Sequence, residues 1–281
     1  MFLYSCTFES NSISLPLQII SLTLLTYSTT LPQISNSSSL LSLSYVDVQL
    51  WMNRSGGDDD FIPVQSVQDF IISLPPALDT FRLYIDPALP VPANSVIGYL
   101  TIKQYLPLLR ELRYSIQRLD FPVFNWSFLP SCLQRLEMDV RFQNQFNSNP
   151  QYFLNLRYLD VNLEHYRASF VDFWSQMGEF LPLLETLSVK IMLFGDLDLQ
   201  YMDYKNISSL MLYIRAPPDG RIAEKIRIGP LPSYLTTYRL FNHVQRAREY
   251  TILNLEVSQA LRDSNIIEVF PDGKFKFMIT S

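Results

Sequence analysis

Three carboxylates that could share a reaction stand at Glu137, Asp139 and Asp160, each inside a run whose apolar residues alternate. Alternation marks a strand with one buried face, so these side chains are expected to project from adjacent strands onto the other face. A hydrolase needs two carboxylates at a set separation whose pKa values are driven apart. An open sheet face works against that, because solvent shields the charges. The group therefore reads as an acidic strip that meets a basic or polar partner, with a hydrolase-type enzyme using a carboxylate site on the sheet face as the alternative. The same face carries Arg82, Tyr84, Arg113, Asn162, Lys190, Tyr213 and Arg239. Arg and Tyr are enriched at interface hot spots. Together these residues are assigned to binding a protein partner, along a face running from basic through acidic to mixed and aromatic.

No other cluster spells out a reaction. The two histidines, His165 and His243, each follow a predicted strand, and no GxSxG or HExxH motif accompanies them. Two cysteines and two histidines in unrelated places give no metal-ligand spacing. No GxGxxG or P-loop pattern occurs, and eight glycines supply little material for a phosphate cradle. The three aspartates of NRSGGDDD, residues 53–60, lack the spacing and closing Glu of a calcium loop and read as a solvated turn. The expectation is a non-enzymatic protein without cofactor or metal.

Composition narrows the partner class. The chain has 281 residues, 48% of them hydrophobic, and its 22 basic against 27 acidic side chains leave a net charge of −5. Neither sign gathers into a long run, so neither nucleic acid nor an anionic membrane is expected as a partner. The aminoterminal stretch lacks a basic n-region and is broken by serines and a proline, unlike a signal peptide. Cys6 and Cys132 lie far apart and read as free thiols of a reducing compartment, the cytoplasm or nucleus. The Asn-x-Ser sequons at Asn36, Asn53, Asn125 and Asn206 are expected by chance in a chain this rich in Ser and Asn.

What must position these residues is a repeat. Taking the first strongly apolar residue after each Leu-Pro step as an anchor aligns Phe81, Leu112, Leu136, Leu159, Leu187, Leu210 and Tyr238, spaced 31, 24, 23, 28, 23 and 28 residues apart. Anchor, +2 and +4 are nearly always apolar, as in Phe81, Leu83 and Ile85, while +1 and +3 are mostly polar or aromatic. A period in the twenties signals a stacked array, because one strand and its crossover cannot bury an apolar face alone. Helical spacing appears between strands. Val67, Phe70, Ile71 and Leu74 fall at i, i+3, i+4 and i+7, as do Phe170, Phe173, Trp174 and Met177, and residues 94–107 form a looser copy. Leu-Pro then reads as the point where a helix stops and the chain re-enters the core. Residues 216–232 read as an insertion, and Pro271-Asp272-Gly273 between alternating runs predicts a hairpin covering the last edge.

The repeats LPLLETLSV, LPLLRELRY and FLNLRYLDV resemble the leucine-rich repeat, with consensus LxxLxLxxN, over roughly residues 74–241. Fainter echoes stand at LPLQIISLTLL and LLSLSYVDVQL, and the consensus Asn is missing at anchor +5, the nearest match being Asn242 at +4 from Tyr238. In their irregular lengths and Leu-Pro steps the repeats are similar to those of F-box/leucine-rich-repeat proteins. That resemblance implies an α/β solenoid of about seven to nine units, with a parallel sheet on one face and short helices on the other. It also implies substrate recognition for a cullin-RING ubiquitin ligase, whose adaptor an aminoterminal helical F-box would hold. LPLQIISLTLLTY, residues 15–27, has the opening Leu-Pro of an F-box but reads more easily as a strand. The expected organisation is a cap or degenerate repeats over 1–60, the repeat array over 61–250 and a carboxyterminal cap over 251–281.

Overall fold

The computed structural model describes residues 2–5, 12–27, 31–51, 64–86, 99–121, 129–142, 154–163, 181–192, 197–199, 206–215, 226–228, 237–243, 255–256, 267–269 and 275–277. The protein is α/β, with mostly parallel sheets and few helices, and divides into two compact units, Met1–Arg141 and Phe142–Ser281.

In the first unit the elements run β1 (Phe2–Ser5), β2 (Ser12–Ile13), β3 (Ser21–Thr26), β4 (Gln33–Ile34), β5 (Tyr45–Leu50), α1 (Val64–Ile72), β6 (Thr80–Ile85), α2 (Tyr99–Tyr105), β7 (Glu111–Phe121) and β8 (Arg135–Phe142). The main sheet has the order β1-β3-β5-β6-β7-β8, and its pairs from β1 to β7 are parallel. Register follows the sequence repeat, with Val46 opposite Phe81 and Phe81 opposite Leu112. Parallel neighbours need a crossover, and here the crossovers hold β2, β4, α1 and α2.

The alternating residues divide as the pattern predicts. Leu22, Leu24, Val46, Val48, Leu50, Phe81, Leu83, Ile85, Leu112, Tyr114, Leu136 and Met138 are buried. Val67, Phe70, Ile71 and Leu74 join them from α1 and the turn after it, and Ile102 joins from α2. The short strands β2 and β4 pair with each other, and the helix completes what they leave open. The Leu31 N–H donates to Ser66 Oγ at 2.6 Å and the Ile34 N–H to Ser73 Oγ at 2.9 Å, so two serines of the α1 segment satisfy donors beside β4. Asn36 ties down the start of the unit. Its Oδ1 accepts from the Leu15 N–H at 2.9 Å and its Nδ2 donates to the Leu15 carbonyl at 2.7 Å. Asn36→Ala strands both groups and lowers the unfolding free energy by about 1–3 kcal/mol, readable by urea titration.

The Leu-Pro step has a broader role than ending helices. Before Leu15-Pro16 the described residues form strands and no helix, yet the Ile19 N–H still closes a turn onto the Pro16 carbonyl, as Leu78 does onto Pro75 and Leu133 onto Pro130. Leu40-Leu41 makes a similar turn without proline, Leu43 donating to Leu40. The turn sinks one leucine and turns the next outward: Leu40 is 1% exposed and Leu41 88%. A bifurcated backbone ladder runs beside these turns. The Ile20 carbonyl accepts from the N–H groups of Ser44 and Tyr45, that of Ser44 from Asp79 and Thr80, that of Asp79 from Arg110 and Glu111, and that of Arg110 from Gln134 and Arg135. Every acceptor stands two residues before a strand's first buried apolar residue.

In the second unit, β9 (Tyr158–Leu163), β10 (Thr186–Met192), β12 (Ser209–Arg215) and β14 (Thr237–His243) pair in parallel, and Leu159, Leu187, Leu210 and Tyr238 stand in line. β11 (Leu197–Leu199), β13 (Ile226–Ile228) and β15 (Leu255–Glu256) make a small parallel sheet, so the segment read as an insertion contributes a short strand. The hairpin predicted around Pro271-Asp272-Gly273 has arms at β16 (Ile267–Val269) and β17 (Phe275–Phe277), and β17 pairs antiparallel with β14. Ser188 departs from the alternation. It sits at a position expected to face outward but is 1% exposed, since its small side chain is flanked by Asp160 and Met211 on the neighbouring strands. The helix expected over Phe170–Met177 and the histidine His165 lie outside the described residues.

Residues 15–27 form a turn followed by β3, not a helix. The helical F-box motif is therefore not formed there.

Candidate functional site

The open face of the first sheet is built from strand positions that alternation turns outward. Asp47, Arg82 and Arg113 occupy one row across β5, β6 and β7, each opposite the next in register. Gln49, Tyr84 and Ser115 form the row above. Trp51 continues from the end of β5, and its ring centre lies 5.0 Å from that of Tyr84, tilted by 43°. These two rows and Trp51 line a hollow of about 330 Å³.

The charges of the lower row do not simply pair off. Asp47 Oδ2 accepts from the Tyr45 hydroxyl at 3.3 Å and from Gln49 Nε2 at 3.5 Å. Arg82, next to Asp47 in register, instead lies over the Tyr45 ring, 5.3 Å from its centre, a cation–π contact. Arg113 reaches the other way, its Nε 3.2 Å from Glu137 Oε2. Glu137 Oε1 also accepts from Arg135 Nε at 2.8 Å and Nη2 at 2.5 Å. Two arginines thus flank each other in register, one held by an aromatic face and the other by a shared carboxylate. The indole N–H of Trp51 is buried without an acceptor among the described residues, an uncommon state for such a donor.

Burial, and next the Asp47 carboxylate, raise the Tyr45 hydroxyl above its ordinary value of 10.0, against the lowering pull of Arg82. The fold thus favours the neutral phenol. Its stability contribution is full below the unfolded-state value and is lost as pH rises through the folded-state one. In urea unfolding between about pH 9 and pH 11, Tyr45→Phe should show a shallower loss of stability than the parent.

The assigned residues are distributed between the units. Arg82, Tyr84, Arg113 and Glu137 come together in the first. In the second, the Lys190 ammonium lies 3.7 Å from Asp160. Glu137 and Asp160 thus have basic partners within their own units. Asp139, Asn162, Tyr213 and Arg239 lie in β8, β9, β12 and β14, with side chains outside the described residues. Tyr45, Asp47, Gln49 and Trp51 were missed from the assignment, although LLSLSYVDVQL already echoed the repeat and places Asp47 at +1 and Gln49 at +3 from Val46.

Among the described residues no group of His, Cys, Asp and Glu is disposed to hold a metal ion, and no helix is long and apolar enough to cross a membrane. The Cys132 thiol contacts the carbonyls of Pro107 and Leu109 at 3.1 and 3.2 Å.

Fold and site together define an α/β protein whose mostly parallel first sheet bears a basic and aromatic hollow on its open face. Compared with protein-family models, curated proteins and solved structures, the chain matches none.

Proposed function

We propose that this protein is a non-enzymatic protein-binding scaffold that engages its partner through the open sheet face. The observation that carries the reading is the hollow itself, where two arginines, a tyrosine and a tryptophan converge from three adjacent strands. Arg, Tyr and Trp are the side chains that dominate binding energy at protein interfaces, and placement on a rigid sheet lowers the ordering cost of docking. The finer architecture, a leucine-rich-repeat-like solenoid, draws support from the in-line anchors and the repeated turns. Substrate recognition for a cullin-RING ubiquitin ligase rests on the resemblance of the repeats alone. The carboxylate-hydrolase alternative gains no support from Glu137, whose oxygens are taken up by Arg113 and Arg135.

Affinity purification of the tagged protein from its own cells, with mass spectrometry, tests the reading. A stable protein set lost on Arg82→Glu/Arg113→Glu supports it, and an adaptor of a cullin-RING ligase in that set supports the ligase extension. A set that is unchanged in the double variant overturns the assignment of the face.

A further inference from the structure

We infer that the hollow between β5, β6 and β7 takes an acidic side chain of the protein partner, its carboxylate spanning Arg82 and Arg113 while an adjacent apolar side chain packs on Trp51 and Tyr84. This rests on the scaffold reading and specifies what the face recognises.

The argument begins with a charge imbalance that the strand register imposes. Arg82 and Arg113 are direct neighbours across β6 and β7, and like charges set opposite each other in a sheet repel. The flanking acids could quench both, but only one does so. Glu137 binds Arg113. Asp47 is occupied by Tyr45 and Gln49, and Arg82 makes no ion pair among the described residues. Its contact is the Tyr45 ring, which steadies the cation without using its N–H donors. A guanidinium offers donors in a planar fork that matches a carboxylate, so the hollow presents unused donors and asks for an acceptor-rich anion. The wall chemistry specifies the rest. A volume of about 330 Å³ falls at the lower end of the ~300–1,000 Å³ range of ligand sites. It admits one side chain and its neighbour rather than a folded element, and Trp51 with Tyr84 gives that neighbour an apolar surface.

The test uses the full chain and fluorescein-labelled peptides of repeated Glu-Phe-Gly steps, compared by anisotropy with a counterpart of repeated Gln-Phe-Gly steps. The Glu peptide is expected to bind about tenfold tighter or more, and its affinity to fall with added salt. Arg82→Gln should remove most of that preference, and Arg82→Lys, which keeps the charge but loses the fork, should retain part of it. Unchanged circular dichroism and thermal midpoints in both variants confirm that the loss is local. Equal binding of the two peptides, or a Glu preference indifferent to Arg82→Gln, overturns the inference. Displacement of the Glu peptide by inorganic phosphate at equal concentration also overturns it, assigning the hollow to a free anion. The two proposals fail separately. Partners captured from cells with no Glu preference sink the acidic anchor and leave the scaffold standing, whereas a Glu preference that needs Arg82, with no partner captured, sinks the scaffold.

Discussion

Phe81→Ala lowers the unfolding free energy of the first unit by about 3–5 kcal/mol, the usual cost of emptying a fully buried aromatic position. Phe81 has no exposed surface and stands between Val46 and Leu112, so the cavity opens at the middle of the main sheet. Arg82→Ala, one residue along, changes the same quantity by less than about 0.5 kcal/mol, as surface replacements do. The contrast between neighbouring positions is the sharpest check of the register, because a slip of one residue exchanges the two faces of a strand. Chemical denaturation of the two variants side by side measures it. A costly Arg82→Ala with a mild Phe81→Ala would mean that the faces are reversed.

Arg82→Glu combined with Arg113→Glu weakens partner capture by about 30-fold or more, corresponding to the roughly 2 kcal/mol that defines an interface hot spot. The effect has two sources: the hollow loses both cations, and two like charges now meet an acidic ligand. Stability should change by less than about 1 kcal/mol, since exposed ion pairs contribute little and Glu137 keeps Arg135. Quantitative pull-down and a thermal scan on the same preparation separate the two. Lost capture with a fold as fragile as that of Phe81→Ala would assign the arginines to structure.

The sequence was most readable where periodicity is strict. Alternation in TFRLYI places Leu83 inside and Arg82 outside, because a strand has only two faces and the apolar one must be covered. The helix at Val64–Ile72 showed through Val67, Phe70 and Ile71 for the same reason at a different period. The composition of the hollow was less readable. Tyr45, Asp47 and Trp51 sit in a repeat whose Leu40-Leu41 turn lacks proline, so a search keyed on Leu-Pro passes over it. Pairing was not readable at all. That Asp47 would bind Tyr45 and Gln49 and leave Arg82 to an aromatic ring is decided by side-chain reach across strands, which residue order does not encode. Likewise, residue type does not tell the two leucines of a turn apart; the turn's geometry, not hydrophobicity, buries Leu40 and sends Leu41 to water.

The rungs of the bifurcated ladder beside the strand turns are main-chain N–H and carbonyl groups, to which the Ser44 hydroxyl adds a longer contact of 3.4 Å on the Ile20 carbonyl. The ladder's carbonyls belong to Ile, Ser, Asp and Arg, and its donors to residues just as varied, which is possible because the rungs themselves are backbone groups that every residue but proline carries. An ancestral line could therefore rewrite nearly every letter of these turns, proline at a donor position excepted. It could also stretch a crossover, as between Leu22 to Val46 and Val46 to Phe81, without losing a rung. What heredity must keep is spacing and backbone direction. Descendants of one such chain would share a skeleton long after their spelling had diverged.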